Sequence, residues 1–79
     1  MIYRFSMKRY KNETGQSRIY SYKIGADYIE ILFRGEQKPR KYTHAKAGAE
    51  VVAQLKSLAV LGSGLDRYLQ RKAKTIVAE

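Results

Sequence analysis

The spacing of apolar residues changes once along this chain, near residue 43, and this change constrains the fold more than any other feature. Before it, apolar and polar residues alternate, as in a strand with one buried face. After it, apolar residues recur every three to four positions, as in an amphipathic helix. A chain of 79 residues has room for one small domain, residues 1–79. We therefore expect an α+β fold: a three- or four-stranded antiparallel meander, residues 1–43, then two C-terminal helices, residues 44–79, packed on one face.

The clearest strand signal is the run at residues 28–33, and the run at residues 18–24 precedes it. Between them, Gly25-Ala26-Asp27 suits a tight turn. A third strand at residues 38–43 should be irregular or lie at an edge, because Pro39 cannot donate a ladder hydrogen bond. Alternation at residues 3–8 predicts a fourth strand. The residues expected to face the helices are Tyr3, Phe5, Met7, Tyr20, Tyr22, Ile24, Ile29, Ile31 and Phe33.

The helical half divides at Gly62, which suits a left-handed cap that ends the first helix. Ser63 then fits the N-cap of a second helix, with Asp66 at the capping-box position. The first apolar stripe consists of Ala47, Val51, Leu55 and Leu58, widened by Val52, Ala59 and Leu61. The second stripe consists of Leu65, Tyr68, Leu69, Ala73 and Ile76.

The charge balance indicates which partners the protein attracts. The formal net charge is +9, and such a field attracts nucleic acid, anionic lipid or an acidic protein. Residues 1–44 hold ten basic and four acidic residues, and residues 45–79 hold six and three, so basicity is not confined to a tail. The absence of cysteine excludes a disulfide scaffold, and no apolar stretch has the length of a signal peptide or membrane span. We expect a soluble, cytoplasmic protein that does not enter membranes.

If the apolar residues of the sheet face the helices, the alternate positions form a basic outer surface. Long cationic side chains reach phosphates, and an exposed aromatic ring can stack on a base. Tyr28 is the predicted stacking residue. A solvated sheet face, whose lysines discourage edge pairing, explains the same pattern equally well. The residues predicted to face outward and contact nucleic acid are Arg4, Lys8, Lys23, Tyr28, Arg34 and Lys41.

A second basic stripe lies along the last helix, where Arg67, Arg71 and Lys74 project from one side. We predict phosphate contacts for these three. Stabilisation of the helix dipole is an alternative role for Lys74 and the nearby Lys72. The Gly62-Ser63-Gly64 turn exposes backbone N–H groups that could bind phosphate, although a plain cap and turn explains it better.

The sequence offers little for catalysis. His44 is the single histidine, and the seven carboxylates are scattered along the chain. A lone histidine without cysteine cannot form a thiol-based triad or a multi-histidine metal site. We therefore expect no catalytic residue, no metal site and no cofactor, and we interpret His44 as a polar residue at a helix start.

Several segments resemble the KTSC domain, a small β-meander followed by helices that occurs at the C-terminus of some lysyl-tRNA synthetases and in short bacterial and phage proteins. The likeness covers residues 17–74 and rests on Phe33-Arg34-Gly35, the run at residues 42–49, Leu58-Ala59 and the run at residues 62–69. The chain departs from the family pattern at Arg40 and Asp66. The resemblance implies a nucleic-acid role and supplies no catalytic residues.

The chain is also similar to some phage anti-CRISPR proteins in its length, its order of elements and its Gly62-Ser63-Gly64-Leu65 turn. Two functions follow. The first is a non-enzymatic module that binds the RNA or DNA backbone, with a log–log salt dependence of magnitude ~4–7. The alternative is a protein-interaction module, such as a phage inhibitor of a host defence complex that handles nucleic acid. Its candidate anchors are Tyr10, Tyr28 and Tyr68, if these side chains are exposed. Either could be a monomer or a weak homodimer.

Overall fold

The computed structural model describes residues 7–12, 15 and 17–72. They form a four-stranded antiparallel sheet followed by helices, which confirms the predicted α+β fold. Strands adjacent in sequence are adjacent in the sheet. The strands are β1 (Lys8–Arg9), β2 (Ile19–Ile24), β3 (Tyr28–Phe33) and β4 (Arg40–Thr43). The helices are α1 (His44–Ala47), α2 (Ala49–Leu61) and α3 (Leu65–Arg71).

Strand β3 supplies the centre of the core, as its alternation predicts. Ile29 and Ile31 are completely buried, and Phe33 packs partly buried against the same cluster. Ile29 pairs with Tyr42 of β4 and Ile31 with Tyr22 of β2. Because directly paired residues share a face of the sheet, these side chains define a helix-side face, and the opposite side is the outer face.

Strand β2 departs from the predicted alternation because a bulge interrupts it. Ile19 pairs with Phe33 and Ser21 with Leu32, so β2 contains one residue more than β3 in this interval. The bulge buries Ile19 and Tyr22, three positions apart, and leaves Tyr20 40% exposed. The prediction that Tyr20 shares the core face with Tyr22 is therefore wrong. Ile24 pairs with Ile29 and therefore lies on the predicted helix-side face, but it is exposed because it ends the strand.

Strand β1 has the opposite orientation to the prediction. Lys8 pairs with the inward-facing Tyr22, which places Lys8 on the helix side of the sheet. Met7 instead accepts a 3.8 Å hydrogen bond at its Sδ from the hydroxyl of Ser21, on the outer face. The predicted inward Met7 and outward Lys8 are both wrong. The predictions for Tyr3, Phe5 and Arg4 lie outside the described residues.

The helices pack on the helix-side face of the sheet with the apolar stripes that the sequence predicted. Val52, Leu55 and Ala59 of α2 are buried in the core with Leu65 of α3. Leu61 was expected in this stripe but is 58% exposed, because α2 ends there. None of the helices among residues 7–12, 15 and 17–72 has the length and hydropathy of a membrane span.

Two glycines set the helix boundaries. Gly62 adopts the left-handed conformation (φ 89°) that ends α2, as predicted. Gly48 (φ 96°) separates α2 from α1, a single additional turn whose N-cap is Thr43. The Thr43 hydroxyl accepts a hydrogen bond from the Lys46 N–H at 3.2 Å.

The start of α3 is attached to the sheet rather than capped by its own side chains. Its N-cap is Gly64, without a side-chain cap bond, so the predicted capping box of Ser63 and Asp66 is wrong. Asp66 instead accepts hydrogen bonds from the Ser17 hydroxyl (2.6 Å) and the Arg18 N–H (2.9 Å). These bonds hold the segment that enters β2 and fix the position of Arg18.

Candidate nucleic-acid interface

The outer face of the sheet carries four of the six residues that the sequence predicted there. Lys23 and Lys41 stand on either side of Glu30, because both pair with it in the register. Tyr28 and Arg34 lie on the same face by alternation with the buried Ile29 and the inward Phe33. Lys8 lies on the other side of the sheet, as its pairing with Tyr22 shows.

The positive charge at the centre of the outer face is partly cancelled. Glu30 lies between two lysines, and its Oε1 is buried without a hydrogen-bond partner in the described part of the chain. Lys23 and Lys41 are themselves partly buried. A phosphate approaching this part of the face would meet a carboxylate as well as two ammonium groups, so the centre is a weak anion site.

The ring of Tyr28 already has contacts within the protein. Its ring lies against Gly25, so closely that a Cβ at residue 25 would overlap it. The Nζ of Lys41 lies 4.5 Å from the ring centroid, which is a cation–π contact. Tyr28 is partly buried. Because Gly25 and Lys41 occupy the ring, it is less suited to stack on a base than the sequence suggests.

A second tyrosine on this face is more accessible. Tyr20 is 40% exposed, and the guanidinium of Arg9 lies 4.4 Å from its ring centroid. Sequence reasoning missed both residues, because strict alternation through β2 predicted that Tyr20 would point inward. The bulge between Ile19 and Ser21 turns it outward.

Two further arginines meet beside this pair. The Arg34 N–H donates to the Arg18 carbonyl at 2.7 Å, which continues the β2–β3 pairing by one step beyond Ile19 and Phe33. Alternation from these inward residues places both arginines on the outer face. Like charges directly opposite each other on a sheet are destabilising. Neither guanidinium forms a salt bridge within residues 7–12, 15 and 17–72, so an anion bound here would relieve their repulsion.

These residues surround a groove of about 700 Å³ at one end of the outer face. Leu32 and Met7 contribute apolar surface to it, and Arg9 and Arg34 contribute charge. We call this the arginine groove; Arg18 adjoins it through its pairing with Arg34. Its principal lining residues are Met7, Arg9, Tyr20, Ser21, Leu32 and Arg34.

A carboxylate at the edge of the arginine groove is neutralised. Glu36 lines the groove, but its Oε2 lies 2.8 Å from Nη2 of Arg40 in a salt bridge. This hydrogen bond raises the pKa of Arg40, whose guanidinium also lies 4.8 Å from the ring centroid of Phe33. Burial raises the pKa of the neighbouring Tyr42 phenol, and the Arg40 charge partly opposes that effect. Because Arg40 pairs with Glu36, this carboxylate leaves the charge of Arg9 and Arg34 available.

Two of the other predicted contact residues lie on the helical side of the molecule. Arg67 and Arg71 are exposed on α3, and Lys74 lies outside the described residues. Lys72 Nζ is 6.0 Å from the ring centroid of the partly buried Tyr68.

Tyr10 is buried, and its hydroxyl accepts a hydrogen bond from the Leu65 N–H at 3.3 Å. Tyr10 therefore cannot be the exposed protein anchor that the sequence suggested.

His44 and the carboxylates are not gathered into a metal site in the part of the chain that the structure describes. No group of three or more histidine, aspartate or glutamate residues with metal-binding geometry occurs there. His44 is exposed at the first position of α1, and its backbone N–H donates to the Asp27 carbonyl at 2.9 Å. This bond ties the start of the helical half to the turn between β2 and β3.

Comparisons of the chain with protein families, with curated proteins and with solved structures found no match. The resemblances to the KTSC domain and to anti-CRISPR proteins therefore stay predictions from the sequence. The functional argument rests on the geometry of the outer face.

Proposed function

We propose that this protein is a non-enzymatic module that binds the nucleic-acid backbone through the outer face of its sheet. The observation that carries the proposal is the convergence of Arg9, Arg18 and Arg34 at one end of this face. All three are exposed, and none forms a salt bridge with another residue of the described chain. Guanidinium groups bind phosphate oxygens through paired hydrogen bonds.

Binding of this kind proceeds by neutralisation of phosphates and release of their counterions. The arginine groove anchors the polyanion, while Lys23 and Lys41 contribute less because Glu30 lies between them. Arg67 and Arg71 on α3 contribute mainly to the long-range attraction that the net charge of +9 produces.

A salt titration tests the proposal. Binding of a fluorescently labelled oligonucleotide is followed by anisotropy at several salt concentrations. With up to five cations engaged on the outer face, we expect a log–log slope of magnitude about 3–5. A slope near one, or no binding at low salt, would overturn the proposal.

A protein-interaction function is the second candidate, and exposed apolar side chains at the end of α2 favour it. Val60 and Leu61 are 59% and 58% exposed at adjacent positions. An inhibitor of a nucleic-acid-handling complex could use such a patch together with its basic surface. Capture from a nuclease-treated lysate separates the two candidates. A stoichiometric protein partner that survives the treatment favours this one, and partners that disappear with the nucleic acid favour the first.

A further inference from the structure

We infer that the arginine groove holds one unpaired nucleotide, with its base against the Tyr20–Arg9 stack and a phosphate at Arg18 and Arg34. The inference rests on the proposed nucleic-acid function and adds a preference for single strands. It follows from the placement around one groove of an exposed aromatic ring, an apolar floor and cations that form no salt bridge among the described residues.

The base site is the side of the groove where the Tyr20 ring and the Arg9 guanidinium form a flat surface. The Arg9 guanidinium and the Tyr20 ring lie 4.4 Å apart, centre to centroid, and both line the groove. Bases stack on aromatic rings and on guanidinium planes, and every base offers such a face. Leu32 and Met7 provide apolar surface beside this stack. The site is therefore suited to a base without strong sequence preference.

The phosphate site lies on the opposite side of the groove. Arg34 follows β3 and Arg18 precedes β2, and their backbones are joined by the 2.7 Å hydrogen bond. Strands β1 and β3 flank β2, and Arg9 is level with Leu32, two residues before Arg34. The backbones of Arg9 and Arg34 are therefore about 12 Å apart, two strand spacings across the sheet and two residues along it. This separation leaves room for one nucleotide between the base site and the phosphate site. The groove volume of about 700 Å³ lies within the range of small-ligand sites, roughly 300–1,000 Å³.

A duplex cannot use both sites at once. Within a duplex, the faces of the internal bases are covered by neighbouring bases, so away from the duplex ends the Tyr20–Arg9 stack would find only base edges, sugar and phosphate. Unstacking a base costs a few kcal/mol, which a groove of this size does not offset. An unpaired strand presents base faces and phosphates together.

Two single-stranded probes with the same number of phosphates separate stacking from charge: a deoxythymidine dodecamer and a dodecamer of abasic sugars. A duplex dodecamer, which has twice the phosphates, tests the preference for single strands. Affinity is measured by fluorescence anisotropy at one fixed salt concentration. We expect the deoxythymidine strand to bind on the order of tenfold more tightly than the abasic strand. We also expect it to bind more tightly than the duplex at equal protein concentration.

Two substitutions at one position provide the matched control. Tyr20→Leu removes the ring, and because Tyr20 is 40% exposed, we expect the fold to tolerate the change. It should lower affinity for the deoxythymidine strand on the order of tenfold and leave affinity for the abasic strand unchanged. Tyr20→Phe keeps the ring and should bind like the parent protein. Far-ultraviolet circular dichroism of both variants verifies that they fold.

The outcomes distinguish this inference from the function on which it rests. Equal affinity for the deoxythymidine and abasic strands, with no effect of Tyr20→Leu, would overturn the base site while leaving backbone binding intact. Tighter binding of the duplex would overturn the single-strand preference. If none of the three probes binds at low salt, both the inference and the proposed function fail.

Discussion

The outer face of the sheet contains two pairs of a tyrosine and a cation that have similar chemistry and different surroundings. Lys41 lies over Tyr28 at 4.5 Å, and Arg9 lies over Tyr20 at 4.4 Å. The first pair is partly buried against Gly25. The second pair is exposed and lines the arginine groove. The first pair therefore stabilises the fold, and the second is available to a ligand.

The difference originates in the backbone. Gly25 has no side chain, so the Tyr28 ring can pack on the turn between β2 and β3. The Nζ of Lys56 strengthens this turn by donating to the carbonyl of Gly25 at 2.8 Å. At the other end of β2, the bulge pushes Tyr20 out of the core. Where the strands pair regularly, Lys23 and Lys41 lie beside Glu30 and Lys41 also covers Tyr28. The exposed Tyr20 lies at the irregularity.

The largest effect is expected from the two facing arginines. The double variant Arg18→Gln/Arg34→Gln removes both charges beside the groove. Affinity for single-stranded oligonucleotide should fall at least on the order of 100-fold, because two hydrogen-bonding charged groups are lost and each contributes about 1.5 kcal/mol or more. The magnitude of the log–log salt slope should fall by about two. Anisotropy titrations at several salt concentrations measure both quantities.

The variant Arg67→Gln/Arg71→Gln is the matched control, since it removes the same charge from α3. We expect its affinity to stay within about threefold of the parent, because in the proposed binding mode these residues contribute mainly through the long-range field. Equal losses in the two double variants would mean that net charge, and not the arginine groove, determines binding.

The next largest effect is expected at Asp66, which holds the segment that carries Arg18 beside the arginine groove. Asp66→Ala removes the acceptor of the Ser17 hydroxyl and the Arg18 N–H. The free energy of unfolding should fall by about 3 kcal/mol, because two hydrogen bonds to a charged acceptor are lost at about 1.5 kcal/mol each. Chemical denaturation measures this loss. Asp66→Asn, which keeps an acceptor oxygen, should lose less; an equal loss would show that charge matters more than the bonds.

Tyr28 should behave in the opposite way to Tyr20. Tyr28→Leu should lower the free energy of unfolding by about 1–2 kcal/mol, because the contacts with Gly25 and Lys41 are lost. Its affinity for nucleic acid, measured under conditions in which the variant is folded, should change less than twofold. A large loss of affinity with unchanged stability would restore the stacking role that the sequence assigned to Tyr28.

The smallest effect is expected at the centre of the face. Glu30→Gln removes the carboxylate between Lys23 and Lys41, and affinity for oligonucleotide should rise about two- to fivefold, the size of a surface charge interaction. Stability should not fall, because Oε1 accepts no hydrogen bond in the described chain. Reduced affinity would indicate instead that Glu30 orients the two lysines toward the ligand.

Local patterns predicted the fold well, because the spacing of apolar residues and the positions of helix-ending glycines are local properties of the sequence. The buried Ile29 and Ile31, the stripe of α2 and the cap at Gly62 all follow from spacing. The sequence predicted the candidate site less well, because the site depends on one bulge and on pairing between distant segments. Alternation cannot reveal that Tyr20 turns outward.

Long-range partners were equally invisible in the sequence. Capping rules assigned Asp66 to its own helix, whereas it bonds to Ser17 and Arg18, 49 and 48 residues away. The orientation of Lys8 depends on its register with Tyr22, which alternation within residues 3–8 does not determine. Both errors arise because local spacing gives no information about which distant segment an element meets.

The most direct test of the central claim is a backbone amide NMR titration of the intact protein with a single-stranded oligonucleotide. It locates binding without assuming a site. We expect the largest shifts at Arg9, Arg18, Tyr20, Ser21 and Arg34, and small shifts along α3. Shifts concentrated on α3, or spread evenly over all exposed lysines and arginines, would contradict the claim that the arginine groove is the binding site.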